Sequence, residues 1–124
     1  MSTRRDVETT KKGYAAFAAG DLETALSDFD DSIEWIVSGN SAISGTYRGK
    51  AEAMELFAKL AEKSFTVAPS RFIAHDDVVV VLSQVTAGGE SAPQADAYTF
   101  RHGKIVKAES FGDTAMQERV YGTK

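Results

Sequence analysis

The 124 residues predict a single α+β domain spanning 1–124, and three observations carry that reading. Apolar residues repeat at helical spacing in the first half of the chain and alternate in the second. The alternating segments follow one another through short turns, which makes an antiparallel meander rather than a doubly wound parallel sheet. No linker, repeat or low-complexity stretch divides the chain, and 13.3 kDa is enough for one core without staples.

The first element is a helix over roughly 6–19, where Val7, Thr10, Tyr14 and Phe17 share a face and Gly20 stops it. Asp21 caps a short second helix whose Leu22, Ala25, Leu26 and Phe29 fall at i, i+3, i+4 and i+7. Ser32 to Val37 is a strand that buries Ile33, Trp35 and Val37. A loop through Gly39, Gly45 and Gly49 leads to a third helix at roughly 50–62. Its apolar stripe is Ala51, Met54, Phe57, Ala58 and Ala61, with Glu55 and Lys59 a solvated pair.

Phe65 to Ala74 is a strand that Pro69 bends or places at an edge. A turn at Ala74–Asp77 enters Val78–Thr86, the central strand by its β-branched density. Gly88 to Gln94 reads as a loop, 96–101 as a strand, Arg101 to Lys104 as a tight turn and Ile105 to Phe111 as the last strand. The tail from Asp113 to Lys124 is either a short helix capped by Asp113 or a loose end.

Composition removes several function classes. The absence of cysteine excludes disulfides and thiolate metal sites. A net charge of −4 without a basic stripe argues against nucleic acid. The longest apolar run, Val78 to Leu82, is far too short to span a bilayer. Residues Met1 to Glu8 place no apolar stretch behind Arg4-Arg5, so they are not a secretory signal, and a cytoplasmic protein is the default. His75 and His102 sit in turns without spaced ligands around them, so neither metal nor cofactor is expected. The glycines of Ser44 to Gly49 match no phosphate-binding loop.

What remains is acid–base and hydrogen-bond chemistry in an apolar pocket. In the segment 96–101, Asp96 shares a face with Tyr98 and Phe100. A carboxyl among aromatic rings must find partners or give up its charge, which makes it a functional candidate. The competing reading starts the strand one residue later and leaves Asp96 capping a loop. Tyr14 lies on the buried stripe of the first helix, where its hydroxyl needs a partner or the ring is core filler. Phe17, Trp35, Phe57, Tyr98 and Phe100 supply ring walls, and Ser110 is a small hydroxyl on the face of Val106 and Ala108. Asp30 and Asp31, at a helix–strand junction, are either caps or holders of a reactive water.

Four segments then carry a resemblance over nearly the whole chain: Tyr14 to Leu22, Asp30 to Trp35, Ser44 to Lys50, and Asp96 to Arg101 with Gly103 to Val106. Together they resemble the NTF2-like superfamily in its ketosteroid isomerase and SnoaL-like branch. The resemblance implies a cone-shaped NTF2-like (cystatin-like) fold. Three helices from the N-terminal half would pack on a strongly curved, mostly antiparallel sheet. In the family's steroid isomerases a helix tyrosine and a strand aspartic acid form an oxyanion hole, the acid kept protonated by its apolar site. Tyr14 and Asp96 fall at those positions. The family's general base is an aspartate on the first strand, where this chain carries Trp35, and alternation turns Glu34 away from the pocket.

The catalytic set is thus half present. The expectation is a pocket protein for an apolar, carbonyl-bearing ligand, with Tyr14 and Asp96 holding the oxygen. Any catalysis would be isomerisation, cyclisation or dehydration by proton transfer beside that carbonyl. The alternative is a non-catalytic homodimeric binding or scaffold module. In either case the resemblance implies a homodimer through the outer sheet face of Ile105, Lys107, Glu109 and Phe111.

Overall fold

A computed structural model describes residues 3–124. Met1 and Ser2, the head of the segment read as lacking a secretory signal, lie outside the described residues. The order is α1 (Thr3–Ala18), α2 (Leu22–Leu26), β1 (Phe29–Val37), β2 (Gly45–Arg48), α3 (Gly49–Ala61), β3 (Thr66–His75), β4 (Val78–Ala87), β5 (Glu90–Arg101), β6 (Lys104–Phe111) and α4 (Thr114–Tyr121). The six strands form one sheet in the order β2-β1-β6-β5-β4-β3. Only the β1–β6 pairing is parallel; the other four are antiparallel. The α+β expectation holds, with one more strand and one more helix than the sequence suggested. No described helix is long and apolar enough to cross a membrane.

The turns that drive the meander follow from backbone chemistry. The β4–β5 hairpin closes on Gly88 and Gly89, with φ of 57° and 82° between paired Ala87 and Glu90. Two successive positive φ angles make the primed turn whose twist matches the strands, and glycine adopts it without a Cβ clash. Asp21 caps α2 by accepting from Thr24 N–H, and Asp113 caps α4 by accepting from Met116 N–H at 2.9 Å. The tail is therefore helical over Thr114–Tyr121, the first of the two alternatives.

Several elements differ from their sequence reading. Phe29 opens β1 rather than closing α2, because α2 ends at Leu26. The segment read as loop before α3 contains β2, paired with β1 through Trp35–Tyr47 and Val37–Gly45. The buried stripe of α3 is Ala53, Leu56, Phe57 and Leu60, so of the expected set only Phe57 is inside and Met54 is 37 % exposed. Lys59 lies over the Tyr47 ring at 5.3 Å from its centroid rather than with Glu55. β3 is an edge strand with a register shift between Pro69 and Arg71, so Pro69 both bends and borders the sheet. β4 is interior, one strand from that edge, while β5 and β6 hold the centre.

The largest boundary error is β5, which begins at Glu90 and runs through Pro93. β6 ends opposite Ala95, so at Pro93 the strand has only β4 beside it and no ladder bond to β6 is lost. A second irregularity lies in β6: Thr99 pairs Lys107 but Phe100 pairs Ile105, which leaves Val106 as an extra residue. That bulge corrects the expected outer face, because Ile105 turns inward and is 4 % exposed. Helices α1 and α3 cover the inner face, and the main core holds Ile33, Trp35, Leu56, Phe57, Val81 and Phe100.

Candidate functional site

Between the helices and the inner face of the sheet lies a cavity of about 110 Å³. Its wall takes Tyr14 and Phe17 from α1, Trp35 from β1, Phe57 and Leu60 from α3, and Asp96 and Tyr98 from β5. Val85 and Ala87 of β4 and Met116, Val120 and Tyr121 of α4 enclose another part of it. Edge-to-face ring pairs stiffen the wall: Trp35 meets Phe57 at 5.5 Å and Tyr98 at 6.3 Å, and Phe17 meets Phe57 at 5.2 Å.

A buried polar network around Asp96 interrupts the apolar part of this lining. The Tyr14 hydroxyl donates to Asp96 Oδ2 at 2.8 Å and lies 2.8 Å from the Tyr98 hydroxyl. Gln94 Nε2 donates to Asp96 Oδ1 at 3.2 Å. The indole N–H of Trp35 donates to Ser110 Oγ at 2.9 Å. Ser110 is the cross-strand partner of Asp96, and its hydroxyl bonds to that carboxyl. The residue alternation that made Asp96 conspicuous therefore places it inside, at 4 % exposure, and rules out the loop-cap reading.

Burial raises the Asp96 pKa, against hydrogen bonds from Ser110, Tyr14 and Gln94 that favour its anion. Burial is also the main cause that lifts Tyr14 and Tyr98 well above the ordinary phenol range, reinforced for both by the Asp96 charge. Because the folded pKa of Asp96 exceeds its unfolded value, its contribution to stability is complete below the unfolded value of about 4. That contribution is lost as pH rises through the folded value. Denaturant midpoints measured against pH should show this step in the wild type and lose it in Asp96→Asn, and two parallel profiles would contradict it.

Of the expected site residues, Tyr14, Asp96, Phe17, Trp35, Phe57, Tyr98 and Ser110 line the cavity. Phe100 does not; it is a core residue at 2 % exposure, beyond the Thr99–Phe100 register shift. Glu34 faces away and pairs with Arg48 at 3.3 Å. Asp30 and Asp31 lie within β1 rather than at a helix–strand junction, where Asp30 accepts from Ser32 N–H at 2.9 Å and the Asp31 side chain is fully exposed. Three participants escaped the sequence reading. Gln94 was hidden in a supposed loop, although its spacing of two from Asp96 puts it on the same strand face. Tyr98 contributes its hydroxyl to the network, 2.8 Å from that of Tyr14, as well as its ring to the wall. Tyr121 lines the cavity with a buried hydroxyl that has no partner among the described residues, and burial pushes its pKa up to about 12.

A family profile described as the SnoaL-like domain matches residues 11–108, from the middle of α1 into β6. The chain belongs to the SnoaL-like family. This SnoaL-like chain is 26 % identical to an uncharacterised protein of Mycobacterium tuberculosis, across 95 % of itself and 97 % of the relative. Among solved structures it is similar to Bal32a, from a soil-derived mobile gene cassette, with a TM-score of 0.89 at 23 % identity, covering 96 % of this chain and 98 % of that one. It is similar also to TerC, co-crystallised with polyporic acid, with a TM-score of 0.83 at 26 % identity over 96 % and 99 % of the two chains. The cone-shaped NTF2-like fold expected from the sequence is the fold observed.

Proposed function

We propose that this SnoaL-like chain is a cytoplasmic pocket protein for a small apolar ligand that carries a carbonyl or related oxygen. The supporting observation is a carboxyl–phenol network set into a largely apolar cavity. TerC, co-crystallised with polyporic acid, supports a small organic ligand in this fold. The scale of the cavity favours a compact ligand: an engineered apolar cavity of about 150 Å³ admits benzene.

In the catalytic form of this reading, protons move beside the ligand carbonyl, giving isomerisation, cyclisation or dehydration. Three aspartates line the cavity, and two are committed: Asp28 pairs with Lys12 at 3.0 Å and Asp113 caps α4. Asp96 is then the group to exchange a proton, and its raised pKa moves it toward the useful range. The test is a thermal-shift panel of apolar ketones, each matched with a hydrocarbon of the same shape. Ketones should raise the melting temperature more than their partners, and a panel without shifts would remove the pocket reading.

A second reading, a non-catalytic homodimeric scaffold, draws on the outer sheet face. Phe111 is 52 % exposed and Ile73 42 %, and cross-strand pairing puts both on the outer side, the Phe111 row with Ala95 and Leu82. An apolar row of this kind favours cover by a second copy. Light scattering at high micromolar concentration should report a dimer that Phe111→Glu shifts toward monomer. A wild-type monomer at that concentration would count against the interface.

A further inference from the structure

We propose that Tyr98 is the group that meets the ligand oxygen, and that the Tyr98–Tyr14–Asp96 chain switches between accepting and donating as Asp96 loses or gains a proton. The inference rests on the pocket reading and deepens it. Tyr14 sits between two partners at 2.8 Å, so its one proton and its facing lone pair are both committed. The Asp96 oxygens take Tyr14, Gln94 and Ser110. The terminus of the chain is therefore Tyr98, whose side chain lines the cavity.

Two proton arrangements satisfy the same heavy atoms. With Asp96 ionised, Tyr14 donates to Oδ2, Tyr98 donates to Tyr14, and Tyr98 offers the cavity only lone pairs. With a proton on Oδ2, Asp96 donates to Tyr14, Tyr14 donates to Tyr98, and the Tyr98 O–H is left to point at a ligand. The other carboxyl contacts survive both arrangements. Gln94 remains a donor to Oδ1. The Trp35 N–H takes one lone pair of Ser110 Oγ, which leaves the Ser110 proton available to the carboxyl in both arrangements.

The groups facing Asp96 are Tyr14 from α1, Gln94 and Tyr98 from β5, Ser110 from β6 and the cross-strand Val81 from β4. None carries a permanent charge, so the switch responds to the proton and the ligand rather than to a neighbouring ion pair. By linkage, a ligand that only accepts must draw a proton onto Asp96 when it binds, and one that chiefly donates must repel it. The Trp35 that replaces the family's base position thereby acquires a positioning role through Ser110.

The experiment titrates three single-ring probes into the whole chain by calorimetry and NMR between about pH 4 and about pH 8. Cyclohexanone only accepts, phenol chiefly donates, and toluene does neither. Cyclohexanone affinity should fall by about tenfold as pH rises through the Asp96 titration, with proton uptake on binding, while phenol shows the opposite trend. Tyr98→Phe should abolish both trends. Asp96→Asn presents a fixed amide donor to Tyr14, so cyclohexanone should bind at its low-pH affinity throughout. Matching pH profiles for cyclohexanone and phenol, or wild-type trends in Tyr98→Phe, would overturn the switch while toluene binding upholds the pocket. If toluene also fails to bind, both readings fall together.

Discussion

Replacing Trp35 with alanine is expected to lower the unfolding free energy by about 3–5 kcal/mol, the largest stability effect of any site residue. Trp35 is 8 % exposed and touches three rings, with centroids at 5.5 Å from Phe29, 5.5 Å from Phe57 and 6.3 Å from Tyr98. Truncation removes that burial and opens a void beside the existing cavity, where collapse of the walls is limited by the sheet. It also strips Ser110 Oγ of its donor. Trp35→Phe helps to separate the two contributions, since it keeps one ring of the packing and loses the N–H with the rest of the indole. Guanidinium unfolding should show a large drop for alanine and a modest one for phenylalanine. Equal drops would mean that the hydrogen bond, not the packing, dominates.

Tyr14→Phe is expected to produce the largest functional effect with a small structural one. The ring contacts to Phe72 at 5.9 Å and Tyr98 at 6.0 Å are retained, so packing changes little. The lost hydroxyl breaks the chain between Tyr98 and Asp96 and leaves a buried carboxyl one donor short. Stability should fall by about 1–3 kcal/mol. Affinity for a ketone ligand should lose its dependence on pH, because the Tyr98 hydroxyl no longer answers to Asp96. Measuring melting temperature and the pH profile of ketone affinity on the same sample distinguishes the readings. A loss of stability with that profile untouched would favour the scaffold.

The contrast between Phe57 and its neighbours shows where sequence reasoning stops. Periodicity located α3 to within a residue, yet it chose the wrong stripe apart from Phe57. Alanine and methionine fit either face of a helix, and only the position of the sheet beneath decided that Ala53, Leu56 and Leu60 point inward. Pro93 misled in a similar way. A proline reads as a loop marker, but it is tolerated here because β6 ends opposite Ala95 and leaves that flank of β5 open. The cost of that misreading was Gln94, a direct partner of Asp96. Ile105 changed faces because one extra residue, Val106, enters the ladder, and register is invisible without the partner strand.

Local chemistry alone determined the α+β class, the cap at Asp21 and the inward face of Ile33, Trp35 and Val37. Those properties follow from the period of the side chains and the preferences of single residues, which every stretch of chain carries with it. Tertiary structure decided which groups Asp96 answers to. Tyr14 and Asp96 are 82 positions apart, and Trp35 and Ser110 are 75 apart. Hydrogen bonds at such separations depend on angle and reach set by helix packing and strand register, and those are properties of the assembled sheet rather than of any segment.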